Sequence, residues 1–214
     1  MVETSVLYYV YMLPGAFFAP VIHETIKAMA SVKLGDPTPK KQGFLSGNPL
    51  KYFELIGFIC MMIFGYGWGQ PVPTSPVYYK DRKRGVMLAY ITPALVNLIV
   101  GIITLAFLRL MWGVMEIFVV EIGAGGVFAV IAGAFFDILT LFAKCNIGLA
   151  LFNIIPVHPL DGSKILALFL KPDWAIKMNI YEKFLQIFLL VMLALGLIGA
   201  LFDPLVYLIM DAIW

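Results

Sequence analysis

The sequence predicts an all-α, polytopic integral membrane protein, and three observations carry that prediction. Of its 214 residues, 62% are hydrophobic and only 13% charged, with a mean hydropathy of +0.94. Soluble domains average about a quarter charged residues. Several apolar runs reach the roughly 20 residues needed to cross a bilayer. Third, the basic residues cluster in short runs between apolar segments, which suits lipid headgroups rather than nucleic acid. The net charge is +2, and no nucleic-acid partner is expected. The length suits a single domain over residues 1–214. Cys60 and Cys145 both fall in apolar segments, so neither a disulfide framework nor a Cys-based zinc site is indicated. No internal repeat or low-complexity tract is present. Glu3 stands where a signal peptide would be basic, and the run behind it is too long, so the first span is expected to be retained.

That first span covers about Val6 to Val32. Pro14 and Pro20 interrupt it, which predicts a bent or partly broken helix. His23-Glu24-Thr25-Ile26-Lys27 follows Pro20. In His-Glu-x-x-His on a helix, the two His share one face and bind zinc while the Glu serves as general base. Here Lys27 takes the second His position. Three ionisable residues this close in a spanning helix must face a protein interior and pair, so a structural ion-pair cluster and a metal site are both open readings. Gly, Pro, Asn and Asp then punctuate residues 33–49 as turns, with Phe44-Leu45 a candidate for a short hairpin strand. Lys33, Lys40, Lys41 and Lys51 suggest a cytoplasmic face.

The second apolar run, Phe53 to about Trp68, is short for a crossing. It ends in Gly65-Tyr66-Gly67-Trp68-Gly69-Gln70-Pro71-Val72-Pro73, which cannot be regular helix. Lys80, Arg82, Lys83 and Arg84 follow, so both flanks are basic. Either the run dips in and returns, or one basic loop lies on the other side. The third run, Gly85 to about Leu110, is long enough to span and carries Pro93 and Asn97, the Asn read as an interhelical hydrogen-bonding residue. Glu116, Glu121 and Gly123 to Gly126 read as a connection. A fourth run, about Val127 to Ile155, holds Asp137, Lys144, Asn146 and Asn153. Asp137 and Lys144 are spaced to share a face, and a solvated pair is the expectation.

Asn153-Ile154-Ile155-Pro156-Val157-His158-Pro159-Leu160-Asp161-Gly162 is the second stretch that carries chemistry. Two prolines and a glycine break the helix at membrane depth, and an Asp at such a break is a candidate functional residue. Its plainer role is to cap a helix starting at Ser163. A short amphipathic helix is expected over Ser163 to Leu170, a turn at Lys171-Pro172-Asp173 and a last long run over Phe184 to Phe202. Asp203-Pro204 should open a short terminal helix, with Trp174 and Trp214 at headgroup level.

These segments, in order, resemble the site-2 protease family of intramembrane zinc metalloproteases. His23-Glu24 matches the family's metal-binding helix. Gly35-Asp36-Pro37-Thr38 and Asn48-Pro49-Leu50 match the hairpin region after it. Gly67-Trp68-Gly69-Gln70-Pro71-Val72-Pro73 is similar to its Gly-Trp-x-x-Pro-Val-Pro segment, and residues 153–162 to its Asn-x-x-Pro-x-x-Pro-Leu-Asp-Gly motif. The resemblance implies a core of about five to six membrane helices, some broken, with a short hairpin or re-entrant region. It also implies zinc held by two His and Asp161, with Glu24 activating water for peptide hydrolysis. Asn153 would bind substrate backbone, with Asn146 and Asn48 in substrate or structural roles. The departures are Lys27 for the second His, Tyr52 and Glu54 where many members have His and Asp, Thr92-Pro93 for Gly-Pro, and Asn97 one residue late.

A catalytic zinc usually has three protein ligands and an open position. By analogy this chain supplies His23 and Asp161, and is one short. The simplest expectation is that the Lys27 ammonium takes the metal's electrostatic place against Asp161 and Glu24, with His23 taking up a proton to complete the balance and no zinc bound. The alternative is that His158 turns inward as the third ligand. The first case describes a pseudoprotease that binds or scaffolds transmembrane clients or subunits of a membrane complex. The second describes an active hydrolase cleaving transmembrane segments. A small transporter ranks behind both, since the repeat such proteins carry is missing. A prokaryotic cytoplasmic membrane is the expected location.

Overall fold

The longest apolar runs of the sequence become its longest helices. The computed structural model describes residues 6–117 and 126–213. Its α-helices are α1 (Val6–Lys33), α2 (Thr38–Lys41), α3 (Leu55–Phe64), α4 (Arg82–Glu116), α5 (Val127–Phe152), α6 (Asp161–Ala167), α7 (Pro172–Ile180), α8 (Glu182–Ala194) and α9 (Leu197–Ile213). There is no strand among the described residues. Phe44-Leu45 is therefore not part of a hairpin. Gly43 and Gly47 adopt positive φ on either side, which folds the segment into turns. Glu121, Gly123, Gly125 and Trp214 lie outside the described residues.

Helices α1, α4 and α5 are long and apolar enough to cross a membrane, and α8 with α9 forms a pair bent by 66° that counts as a fourth span if taken together. The sequence led us to expect five to six membrane helices. Length and composition support three or four, and six is reached only by counting α3, α8 and α9 singly. Pro14 and Pro20 lie inside α1, which runs through both unbroken rather than interrupted. Gly15, Ala16, Ala19 and Pro20 are buried against neighbouring helices, the setting in which membrane helices tolerate proline. The break between α8 and α9 falls at Gly196, with φ +71, so Asp203-Pro204 sits within α9 instead of opening it.

Helix α1 lies antiparallel to α4: Ser31 meets Tyr79, Lys27 stacks near Tyr90, and the Asn97 side chain reaches Ala19. Helix α5 returns antiparallel to α4, with Asn97 bonded to Asn146 at one level and Trp112 against Phe136 at another. Gly101 lets these two helices close, since a Cβ there would lie 2.5 Å from Ile147.

Residues 53–71 enter and leave the bundle at the same place. Gln70 donates its N–H to the Tyr52 carbonyl at 2.9 Å, pinning the two ends together. Between them α3 runs inward to Met61, which packs with Met12 and Ala16 of α1, and an extended segment runs back. The ten residues of α3 cover only about 15 Å. The two arms touch backbone to backbone: a Cβ at Gly57 would lie 2.1 Å from the Trp68 carbonyl oxygen. The segment returns to the side of the bundle it left, the path a re-entrant loop takes.

Candidate metal centre

Four ionisable side chains meet in the centre of the bundle, all buried: His23, Glu24 and Lys27 of α1 with Asp161 of α6. Helical spacing sets the first three on adjacent turns of one face. Asp161 arrives through the turn that follows α5. There the Asn153 carbonyl accepts the Gly162 N–H at 2.8 Å and the Asn153 amide donates to the Leu149 carbonyl at 3.0 Å. A Cβ at Gly162 would lie 2.4 Å from the Ile154 oxygen, so only glycine fits this turn. Helix α6 begins at Asp161 itself, and the carboxylate makes no capping bond. The expected cap at Ser163 is absent because the side chain is drawn into the cluster.

The Lys27 Nζ lies 2.6 Å from Glu24 Oε1 and 2.6 Å from Asp161 Oδ1. The second Glu24 oxygen accepts the Val72 N–H at 2.8 Å, so the extended return segment closes the site. His23 Nε2 faces Asp161 Oδ2 at 3.0 Å, and Nδ1 faces Asn97 Oδ1 at 3.2 Å. Asn97 is oriented by its amide, which donates to the Ala19 carbonyl at 3.0 Å and to Asn146 Oδ1 at 2.9 Å. Asn146 in turn donates to the Phe142 carbonyl. Both nitrogens of His23 thus face oxygen acceptors, a pattern that an imidazolium satisfies fully.

His23, Glu24 and Asp161 each offer a ligand atom, all within 4.8 Å of one another, and such a set can hold a metal ion. The Asn97 bond behind His23 is also the kind of support a metal-bound His uses to fix its ring. The chemistry of the set as a whole is less favourable. The position shared by both carboxylates is taken by an ammonium, which repels a dication and ligates only when neutral.

His158 is not brought to this cluster. Its Nε2 lies 2.6 Å from Glu182 Oε1, tying the turn to the start of α8. Burial lowers its pKa; Glu182 opposes that shift and Lys164 adds to it, and the net value lies below the ordinary imidazole one. Asn48 is exposed and caps a short turn by accepting the Leu50 N–H. Tyr52 bonds to the Phe44 carbonyl and Glu54 caps α3 through the Gly57 N–H. Lys144 bonds Tyr207 rather than Asp137. Sequence reasoning treated Asn97 as an interhelical link and gave Val72 no role. The intramembrane Asn was visible as a signal, whereas a backbone N–H leaves none.

The neighbouring loop is held by Asp36, buried where α1 meets the extended return segment. It accepts from Thr38 N at 2.9 Å, Ser75 N at 2.6 Å and Ser31 Oγ at 3.0 Å. Burial acts to raise its carboxyl, but these hydrogen bonds outweigh it and hold the pKa below the usual carboxylate value.

Comparison with known proteins agrees with this arrangement. The family model described as Peptidase family M50 matches residues 3–199. The Bacillus subtilis (strain 168) protein YwhC, whose name presents it as a candidate zinc metalloprotease, is 32% identical over 163 residues, covering 76% of this chain and 70% of its own. No solved structure matches the chain.

Proposed function

Given that the chain belongs to peptidase family M50, we propose that it is a non-proteolytic member, which keeps the scaffold and uses it to bind or hold transmembrane partner proteins. One observation carries the proposal: the Lys27 ammonium lies 2.6 Å from both carboxylates that would otherwise face the metal. Coulomb attraction at that distance in a buried site favours the charged lysine, and a charged lysine excludes zinc. The cluster then stabilises the meeting of α1, α4 and α6 without activating water. The partner would be a membrane protein reached within the bilayer. With a bacterial relative in view, a prokaryotic cytoplasmic membrane is the proposed setting.

The competing reading is an active zinc metalloprotease with Glu24 as general base. It is favoured by the compact His23, Glu24 and Asp161 set, and it requires Lys27 to give up its proton or swing out. Elemental analysis decides between the two. Zinc per chain is measured on detergent-purified protein never given metal, beside Lys27→His. Zinc absent from the unmodified chain but taken up by Lys27→His supports the proposal. Near-stoichiometric zinc in the unmodified chain overturns it.

A further inference from the structure

At the basic face, away from the charged cluster, a cleft of about 340 Å³ opens between the end of α1 and the start of α4. Lys33, Lys80 and Arg84 line it, with Asp81 as the one acidic residue. Lys33 closes α1, Arg84 sits in the first turn of α4, and Lys80 precedes that turn. The antiparallel packing of the two helices puts all three at one level. Asp81 is spent on capping α4: it accepts the Arg84 N–H at 3.0 Å and lies 3.5 Å from Arg84 Nε. The outer guanidinium nitrogens of Arg84 have no ion pair among the described residues. Lys33 and Lys80 have no ion pair among the described residues.

Below the cleft the surroundings turn apolar. Leu34 and Leu88 complete its wall, and Leu88 leads onto an exposed row on α4: Leu95, Ile99 and Ile102. Their spacing keeps them on one face of the helix. From Leu88 to Ile102 the row descends about 21 Å, comparable to an extended acyl chain. Three cations above an apolar track match a molecule with an anionic head and a hydrocarbon tail. A free anion would use the head site and leave the track unexplained.

We propose that this cleft binds the phosphate headgroup of an anionic phospholipid, its acyl chain lying along Leu88, Leu95 and Ile99, so that the lipid bridges α1 and α4. Those helices carry His23, Glu24, Lys27 and Asn97, so the lipid clamps the pair that builds the charged cluster. The proposal does not depend on whether that cluster holds zinc.

The test uses the full chain in detergent, with native mass spectrometry counting bound phosphatidylglycerol against phosphatidylcholine of the same acyl chains. Each basic residue near a membrane surface is worth about 1 kcal/mol toward anionic lipid, roughly fivefold in affinity. Arg84→Gln should therefore weaken phosphatidylglycerol retention about fivefold, and Lys33→Gln/Lys80→Gln/Arg84→Gln about a hundredfold. Phosphatidylcholine binding should not change. A second triple, Lys40→Gln/Lys41→Gln/Lys51→Gln, removes equal charge from the same face and should leave retention intact. Inorganic phosphate and glycerol 3-phosphate should fail to displace the lipid. Equal losses in both triples would reduce the effect to diffuse surface charge and overturn the site. Displacement by inorganic phosphate would overturn the lipid assignment in favour of a free-anion site. Arg84 is 85% exposed, so the single variant folds and unchanged retention in it would count against the proposal even if the triple does not fold.

Discussion

Lys27 Nζ and Asp161 Oδ1 stand 2.6 Å apart, and that contact joins the first helix to the turn after the fifth. Removing one partner of a buried ion pair leaves the other uncompensated, at a cost of roughly 3–5 kcal/mol. Lys27→Ala should lower stability by about that much in detergent unfolding, and Asp161→Ala similarly. Lys27→Ala/Asp161→Ala should recover part of the loss. Strict additivity of the two single effects would mean the contact contributes nothing.

Asn97 is the only described residue that bonds His23 Nδ1. In Asn97→Ala the His23 Nδ1 and the Asn146 side-chain oxygen Oδ1 both lose their partner, which should cost about 1–3 kcal/mol. Asn97→Ala placed on a Lys27→His background should also weaken zinc uptake about 10–100-fold, as loss of a ligand's supporting bond does. Zinc titration with a competing chelator checks this, and unaltered affinity would remove Asn97 from any positioning role.

Re-entry of residues 53–71 makes a topological prediction. Ser46→Cys and Ser75→Cys should react with an impermeant maleimide from the same side of right-side-out and inverted vesicles. Cys60 and Cys145 are buried and should give little background. Labelling from opposite sides would mean the segment crosses.

Gly57 and Gly67 touch across that loop. Gly67→Ala would place its Cβ 2.0 Å from the Gly57 carbonyl oxygen, so the arms must part. Trp68 is buried, and its emission should shift red in Gly67→Ala. Unchanged emission and melting temperature would show that the arms are looser than this packing implies.

Asp36 links stability to pH. Its folded pKa is below the unfolded value of about 3.9. The stabilisation is therefore complete above that value and is lost as pH falls through the folded pKa. The melting temperature of the unmodified chain should drop more steeply below about pH 4 than that of Asp36→Asn. The variant should be the less stable of the two at pH 7. Parallel curves would remove Asp36 from the acid response.

Much of this was legible in the sequence because it rests on residue type and spacing. Apolar length gave α1, α4 and α5, and the doubled basic flanks of residues 53–68 narrowed its course to two possibilities. His23, Glu24, Lys27 and Asp161 were identified as one site, and the ammonium was placed against both carboxylates. What escaped depends on direction rather than composition. Whether His158 turned toward the cluster or toward Glu182 is decided by the path of the 153–160 turn, and no spacing rule specifies it. Proline in α1 suggested interruption, yet its buried surroundings let the helix continue. A capping role for Asp161 stood beside its role in the cluster, and the carboxylate bonds Lys27 and His23 without capping α6.

The order of the chain gives the charged cluster a history. His23, Glu24 and Lys27 belong to the first helix, while Asp161 comes after the long α4–α5 hairpin. During synthesis the first helix is therefore in place, with only Glu24 to answer two potential cations, until most of the protein has been made. Its residence in the bilayer is least comfortable at the start and becomes comfortable only on arrival of the sixth helix. A product truncated before that helix leaves Lys27 with one carboxylate, Glu24, in place of two.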